Sequence, residues 1–141
     1  MPLWNIHHTP GVFTPSEKEA LAAAITDQYA AIGLPRFYVV VLFHEVAREN
    51  FFIGGVSAPT AVRISIDHIA RHASDSASRT RIAEWVRAMV APSLARHPDL
   101  QWEFHVDDTS EEMWMINGLV PPPAQSDVER GWAAANRSSA Y

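Results

Sequence analysis

Pro2 is the residue whose chemistry depends most on its place in the chain. Methionine aminopeptidases remove an initiator that precedes a small residue, so the sequence predicts a mature chain beginning at Pro2, with a secondary amine as its first atom. Such an amine is fixed by the backbone at the start of a strand and can serve as base, acid or nucleophile. Its pKa decides which. An ordinary α-amino group titrates at about 7.7–8.0, and both burial and nearby arginines disfavour the protonated form. A pKa lower by one or two, about 1.4–2.7 kcal/mol, leaves the amine mostly neutral at pH 7 and able to take a proton next to a carbonyl.

Few other groups compete for that role. The chain has no cysteine, which excludes disulfides, thiolate metal sites and cysteine nucleophiles. Its basic residues are arginines apart from Lys18, a set suited to planar recognition of carboxylates rather than Schiff-base chemistry. His68 and His72 are four apart and His105 lies on a candidate strand, yet there is no HExxH pattern and the 68–72 segment reads as a loop, so no metal is expected. Glycine-rich phosphate loops and dinucleotide fingerprints are absent too, and no cofactor is expected. His7 and His8 read as exposed or capping residues at a strand end.

The elements that position Pro2 follow from periodicity. Residues 2–8 read as a strand ended by Thr9-Pro10-Gly11, and the first residue of a strand tolerates proline. Thr14-Pro15-Ser16-Glu17 is a capping box that opens a helix carrying Leu21, Ala24, Ile25, Gln28, Tyr29 and Ile32 at helical spacing, closed by Gly33-Leu34-Pro35. The apolar run 37–43 predicts a strand covered on both faces, and Phe51 to Gly55 a short strand or hairpin. Val62 to Ile66 alternates as a strand, a helix stripe of Ile82, Trp85, Val86, Met89 and Val90 follows, and Trp102 to Val106 alternates again. An offset of sixty sets Pro2 against Val62, Thr14 against Ser74 and Ile25 against Trp85, which suggests an internal duplication.

Beyond the acidic turn 107–112, Asn117-Gly118 signals a turn and Pro121-Pro122-Pro123 stiffens the exit. Ser126-Asp127-Val128-Glu129 reads as a second capping box, whose helix packs on its own core or on a neighbouring subunit. The expected organisation is one domain over 1–141, with βαβ units at 2–46 and 62–107 and a C-terminal hairpin, helix and tail at 108–141. With 141 residues, 48% of them hydrophobic, the chain can bury a sizeable core. A formal charge of -5 argues against nucleic acid, and with no leader or membrane-length apolar run the expectation is a soluble, cytoplasmic protein that binds no membrane.

Pro2-Leu3-Trp4, the duplicated βαβ plan, Ala24-Ile25-Thr26-Asp27, Phe52-Ile53-Gly54-Gly55 and Trp102 together resemble the cis-3-chloroacrylic acid dehalogenase group of the tautomerase superfamily. Arg63-Ile64, Asp67-His68-Ile69-Ala70-Arg71, the run from Trp102 to Asp107 and the run from Ile116 to Pro122 look closer still to a mostly fungal, oxalocrotonate tautomerase-like branch. The resemblance covers nearly the whole chain. It implies the α/β (α+β) fold of tautomerases and macrophage migration inhibitory factor. That fold has two fused βαβ units, a four-stranded mixed sheet, two main helices and a C-terminal tail, assembled as a homotrimer with sites around the terminal proline.

Position by position, the resemblance puts the catalytic proline on Pro2, one carboxylate-binding arginine on Arg71 and the second on Ser74. The dehalogenase histidine falls on Tyr29, its water-activating tyrosine on Phe104 and that tyrosine's partner glutamate near Met115, with Glu111 and Glu112 a few residues early. Three polar groups that serve water activation are therefore altered, which demotes a dehalogenase. A keto-enol tautomerase needs less. Pro2 moves the proton, Arg71 holds the carboxylate of a small 2-oxo or unsaturated acid, and Tyr29 can stabilise the developing enolate oxygen. Arg63, on a strand face with Ser65 and Asp67, is a further cation for the substrate or for a salt bridge to Asp67 or a neighbouring subunit. Asn117 could donate to a substrate carbonyl. The alternatives are hydration or dehalogenation of 3-substituted acrylates, and a non-catalytic trimeric binding module of the same fold.

Overall fold

The structure, a computed structural model, describes residues 1–69 and 71–141; Ala70, inside the Asp67–Arg71 motif, lies outside the described residues. Strand β1 (Pro2–His8) leads to helix α1 (Pro15–Ala31) and strand β2 (Val40–Glu45), and a small hairpin follows, β3 (Phe52–Ile53) with β4 (Val56–Ser57). Strand β5 (Ala61–His68), helix α2 (Ser76–Leu94) and strand β6 (Gln101–Asp108) repeat the plan before helix α3 (Asp127–Ala135). The main sheet has the order β2-β1-β5-β6, parallel within each βαβ half and antiparallel where β1 meets β5. This is the four-stranded mixed sheet the resemblance implies.

Burial alternates along β1 and β5 as their period of two requires. Trp4, Ile6, Ile64 and Ile66 are buried beneath the helices, and Leu3, Asn5, His7, Arg63, Ser65 and Asp67 lie on the other, partly exposed face. Leu21, Ile25 and Tyr29 of α1 and Val86, Val90 and Leu94 of α2 close over the first set, each side chain worth roughly 1.5–3 kcal/mol in removed apolar surface. The capping box of α1 forms in both directions: Glu17 N–H donates to Thr14 Oγ1 at 3.4 Å and Thr14 N–H to Glu17 Oε2 at 2.7 Å.

Several expectations shift. Residues 37–39 do not join β2. Pro35 starts a 3-10 turn over Arg36–Tyr38, and Tyr38 turns inward against Trp114, 4.9 Å between ring centroids, to join a C-terminal aromatic cluster with Trp132. The β2 strand is also partly exposed on one face in the single chain. The duplication has an offset of sixty between β1 and β5 and sixty-one between the helices: α2 is capped by Asp75, which accepts Ser78 N–H at 2.7 Å, so Ser74 is not the cap, and the buried partner of Ile25 is Val86 rather than Trp85. The helix α3 packs on its own chain. Phe37 N–H donates to Asn136 Oδ1 at 3.1 Å and Trp132 Nε1–H to the Ser139 carbonyl at 3.0 Å. Its capping box is half made. Ser126 Oγ accepts Glu129 N–H, whereas the Glu129 carboxylate accepts Gln125 N–H at 2.6 Å and reaches an arginine.

Candidate active site

The antiparallel β1–β5 pairing places Pro2 directly across from His68, the last residue of β5. Because β1 starts where β5 ends, the start of the chain meets the loop after β5 that carries Arg71. Tyr29, on the last turn of α1, comes down on the same spot. A cleft of about 330 Å³ opens here, lined by Pro2, Tyr29, His68 and Arg71 together with Ile82 and Trp85 from α2. Its walls are mostly apolar, which strengthens the few polar interactions inside.

The chain's amine, on Met1, is pushed down to about 4, first by burial and then by Arg71, against the opposite pull of Glu129 and Glu111. Arg71 itself is held in place. Its Nη2–H donates to Glu129 Oε2 at 3.1 Å and its Nη1–H to Glu129 Oε1 at 3.5 Å, with Glu129 only 2% exposed. The amine, Arg71 and Glu129 thus form one charged corner of the site.

Tyr29 also lines the cleft and is 3% exposed. Trp4 Nε1–H, a donor only, gives its hydrogen bond to the Tyr29 oxygen at 3.2 Å, and the Tyr29 oxygen lies 2.6 Å from His68 Nε2. Burial pushes the His68 pKa down to about 4, partly offset by Asp108, so the ring is neutral at pH 7, and in the tautomer with its proton on Nδ1 the Nε2 atom accepts the phenolic proton. Burial also pushes the Tyr29 pKa upward, and Trp85 packs edge-on against its ring, 4.9 Å between centroids.

Of the residues singled out from sequence, Pro2, Tyr29 and Arg71 come together and the others lie elsewhere in this chain. Arg63 is on the opposite face of the sheet, where it pairs with Glu103 at 3.0 Å and meets His105 Nδ1 at 2.6 Å; Asp67 is not its partner. Glu103 lies beside Arg63 in the β5–β6 register, whereas Asp67 is four residues farther along its own strand. Ser74 is exposed in the loop before α2, and Asn117 turns the backbone at φ 52 and donates to Ser138 Oγ at 3.1 Å. His72 pairs with Asp108, which lies across from His68 in the β5–β6 register, and His105 pairs with Asp107. The sequence reading missed four contributors. Glu129 was hidden behind its capping signature, His68 was weighed only as a metal ligand, and Ser78 with Arg81 line the cleft from α2. The helical spacing that puts Ser78, Arg81, Ile82 and Trp85 on one side was the available signal for the last two.

Comparison with known proteins agrees with this fold. Residues 1–137 match the family model described as "Putative oxalocrotonate tautomerase enzyme". The chain belongs to this family. Among solved structures, RhCC from Rhodococcus jostii RHA1 is 40% identical, with 99% of each chain covered and a TM-score of 0.93. A probable enzyme from the thermophilic fungus Aspergillus fumigatus is 38% identical over 100% of this chain and 98% of its own, with a TM-score of 0.92. N1, a member of the cis-3-chloroacrylic acid dehalogenase family, shares the fold at 22% identity, covering 94% of this chain and 90% of its own with a TM-score of 0.70. A fused 4-OT described as a symmetric trimer does so at 25% identity, 84% and 94% coverage and a TM-score of 0.65. No curated protein matches the sequence. Among the described residues, no helix of this tautomerase-family chain is long and apolar enough to cross a membrane.

Proposed function

We propose that the mature chain is a cofactor-independent keto-enol tautomerase of a small 2-oxo or unsaturated carboxylic acid, with the Pro2 amine as its general base and acid. The observation that carries this reading is the desolvated corner at the start of β1, where an amine beside Arg71 is held neutral at pH 7. Removal of Met1 moves the amine by one residue, about 3.8 Å, onto Pro2, which itself lines the cleft. The neutral amine takes a proton from the carbon next to the carbonyl and returns it to the other end of the enol system. Arg71, with Glu129 holding it, attracts the substrate carboxylate, and the Tyr29 oxygen faces the substrate oxygen. In this reading the enzyme is a homotrimer in the cytoplasm, with the uncovered face of the sheet turned toward neighbouring copies.

The test is ketonisation of phenylpyruvate or a 2-hydroxydienoate by protein whose intact mass shows Met1 removed, against Pro2→Ala. Turnover that depends on Pro2 supports the proposal, and equal rates overturn it. Carboxylates of Glu129 and Glu111 near the amine favour one second reading, hydration of an unsaturated or 3-halo acid, in which Pro2-dependent halide release from 3-haloacrylates would exceed tautomerisation.

A further inference from the structure

The proposed mechanism leaves one buried basic group of the cleft without a task. His68 is 7% exposed, lines the cleft, faces Pro2 across the β1–β5 ladder and, as its Nδ1–H tautomer, accepts the Tyr29 proton at 2.6 Å. Tyr29 cannot give its proton to a substrate oxygen without breaking that bond, and its second partner, Trp4 Nε1–H, is a donor already in place. The phenolic oxygen has two lone pairs, one taken by Trp4 and one left for a hydroxyl in the cleft. The arrangement is therefore ready to receive a proton from the substrate and pass one on, with no side chain having to rotate.

From this geometry we infer that His68 is the proton acceptor behind Tyr29, the two acting as one relay for the substrate's oxygen. The inference rests on the tautomerase reading. In ketonisation, the enol C=C pair forms the new C–H bond with the proton carried by the Pro2 ammonium. The enol O–H bond breaks as the C=O double bond forms. That proton goes to the Tyr29 oxygen while the Tyr29 proton moves to His68 Nε2. The balance is one proton lost by Pro2 and one gained by His68, with Tyr29 unchanged and no electrons transferred; solvent supplies the Pro2 proton before the step and takes the His68 proton after it, so both groups return to neutral, and enolisation runs the same path backwards. An imidazole kept weakly basic by burial suits this task, because the hydroxyl of a carbonyl in the making is strongly acidic and the imidazolium must give its proton up again. The charged and titratable groups around His68 are Tyr29 on α1, Asp108 on β6, Arg71 and His72 in the following loop, and the chain's amine.

The experiment compares mature wild type, Pro2→Ala, Tyr29→Phe, His68→Gln and His68→Ala in phenylpyruvate ketonisation. Glutamine still accepts the Tyr29 hydrogen bond but cannot take its proton, so it separates relay from orientation. Both His68 variants are expected to lose about 50-fold or more in kcat with KM within threefold, in the range of one lost acid–base group. Imidazole in the buffer should recover part of the His68→Ala loss. Tyr29→Phe should match them, and combining it with His68→Gln should cost little more. A His68→Gln enzyme within threefold of wild type, beside an impaired Pro2→Ala, overturns the relay and leaves the tautomerase reading standing. Pro2→Ala at the wild-type rate overturns the reading itself. Binding of oxalate, an enolate-like dianion, tests the relay without turnover: calorimetry in two buffers at pH 7 should show about one proton more taken up by wild type than by His68→Gln, and equal uptake overturns it.

Discussion

The two ends of the β1–β5 ladder are built from matching parts and do different things. His8 ends β1 as His68 ends β5, sixty residues apart, and each faces the first turn of the other strand: His68 opposite Pro2, His8 opposite Val62. Both are buried on the helix side of the sheet, and burial lowers the pKa of both. At the His8 end the following loop folds inward, Val12 and Phe13 bury themselves, and the imidazole is boxed edge-on by Phe13 and Phe43 at 5.3 and 6.3 Å. Its Nδ1 meets the Thr9 carbonyl at 3.0 Å, while Nε2 finds no partner among the described residues. At the His68 end the loop brings Arg71 in place of a phenylalanine, α1 contributes Tyr29, and a cleft stays open. A buried histidine at a strand end is thus a packing element by default. The loop that follows the strand makes it part of a site.

The strongest way to break this contrast is to mutate both ends. Pro2→Ala, which exchanges the ring-fixed secondary amine for a freer primary one, should lower kcat/KM about 10²-fold, the low end for a positioned acid–base group, whereas His8→Phe should leave it within twofold in the same assay. An equal loss from both would mean that the His8 end matters to the chemistry as well. Next in size is the charged corner. Arg71→Ala leaves Glu129 buried without its cation and should cost about 3–5 kcal/mol in urea unfolding, while the paired change Arg71→Met with Glu129→Leu should recover most of that stability and none of the substrate affinity. At the His8 end the ion pair of Arg96 with Glu17, whose guanidinium also donates to the Val12 carbonyl, is far more exposed, so no single charge removal there should approach this cost.

Acid stability sharpens the comparison further. The folded-state pKa of His68 lies near 4, below its unfolded value of about 6.5, so the unfolded chain binds the proton more readily. Stability is therefore full above pH 6.5 and falls as the pH drops toward 4, by about 3 kcal/mol for this residue, and His68→Gln should flatten the acid limb of a urea-midpoint profile by that amount. The smallest effect separates the helix starts: Thr14→Ala and Asp75→Ala should each cost about 1 kcal/mol in thermal unfolding, and Ser74→Ala less than about 0.5 kcal/mol.

Pro2 at a strand start, the capped amphipathic α1 with Tyr29 on its inner stripe, and the repeated strand–helix–strand plan were all legible, because each is written in local spacing. Residues 37–39 misled because an apolar run reports burial without saying against what; Tyr38 is buried against the C-terminal tryptophans. Arg63 illustrates the other limit. Alternation correctly set it on a face with Ser65 and Asp67, but only the sheet order decided that this face is turned away from the cleft and that Glu103 lies within reach.

The sequence by itself determined the chemistry available: no thiol, one lysine, a proline poised to become the chain's amine, and arginines to meet an acid. It also determined most of the secondary elements, since helix caps and periodicity act within a few residues. Tertiary structure alone decided the partnerships. Pro2 with His68, His68 with Tyr29, and Arg71 with Glu129 join residues 66, 39 and 58 positions apart. Such pairs form only when an antiparallel register and a docked helix bring distant backbone into contact, and burial there sets the ionisation of each group.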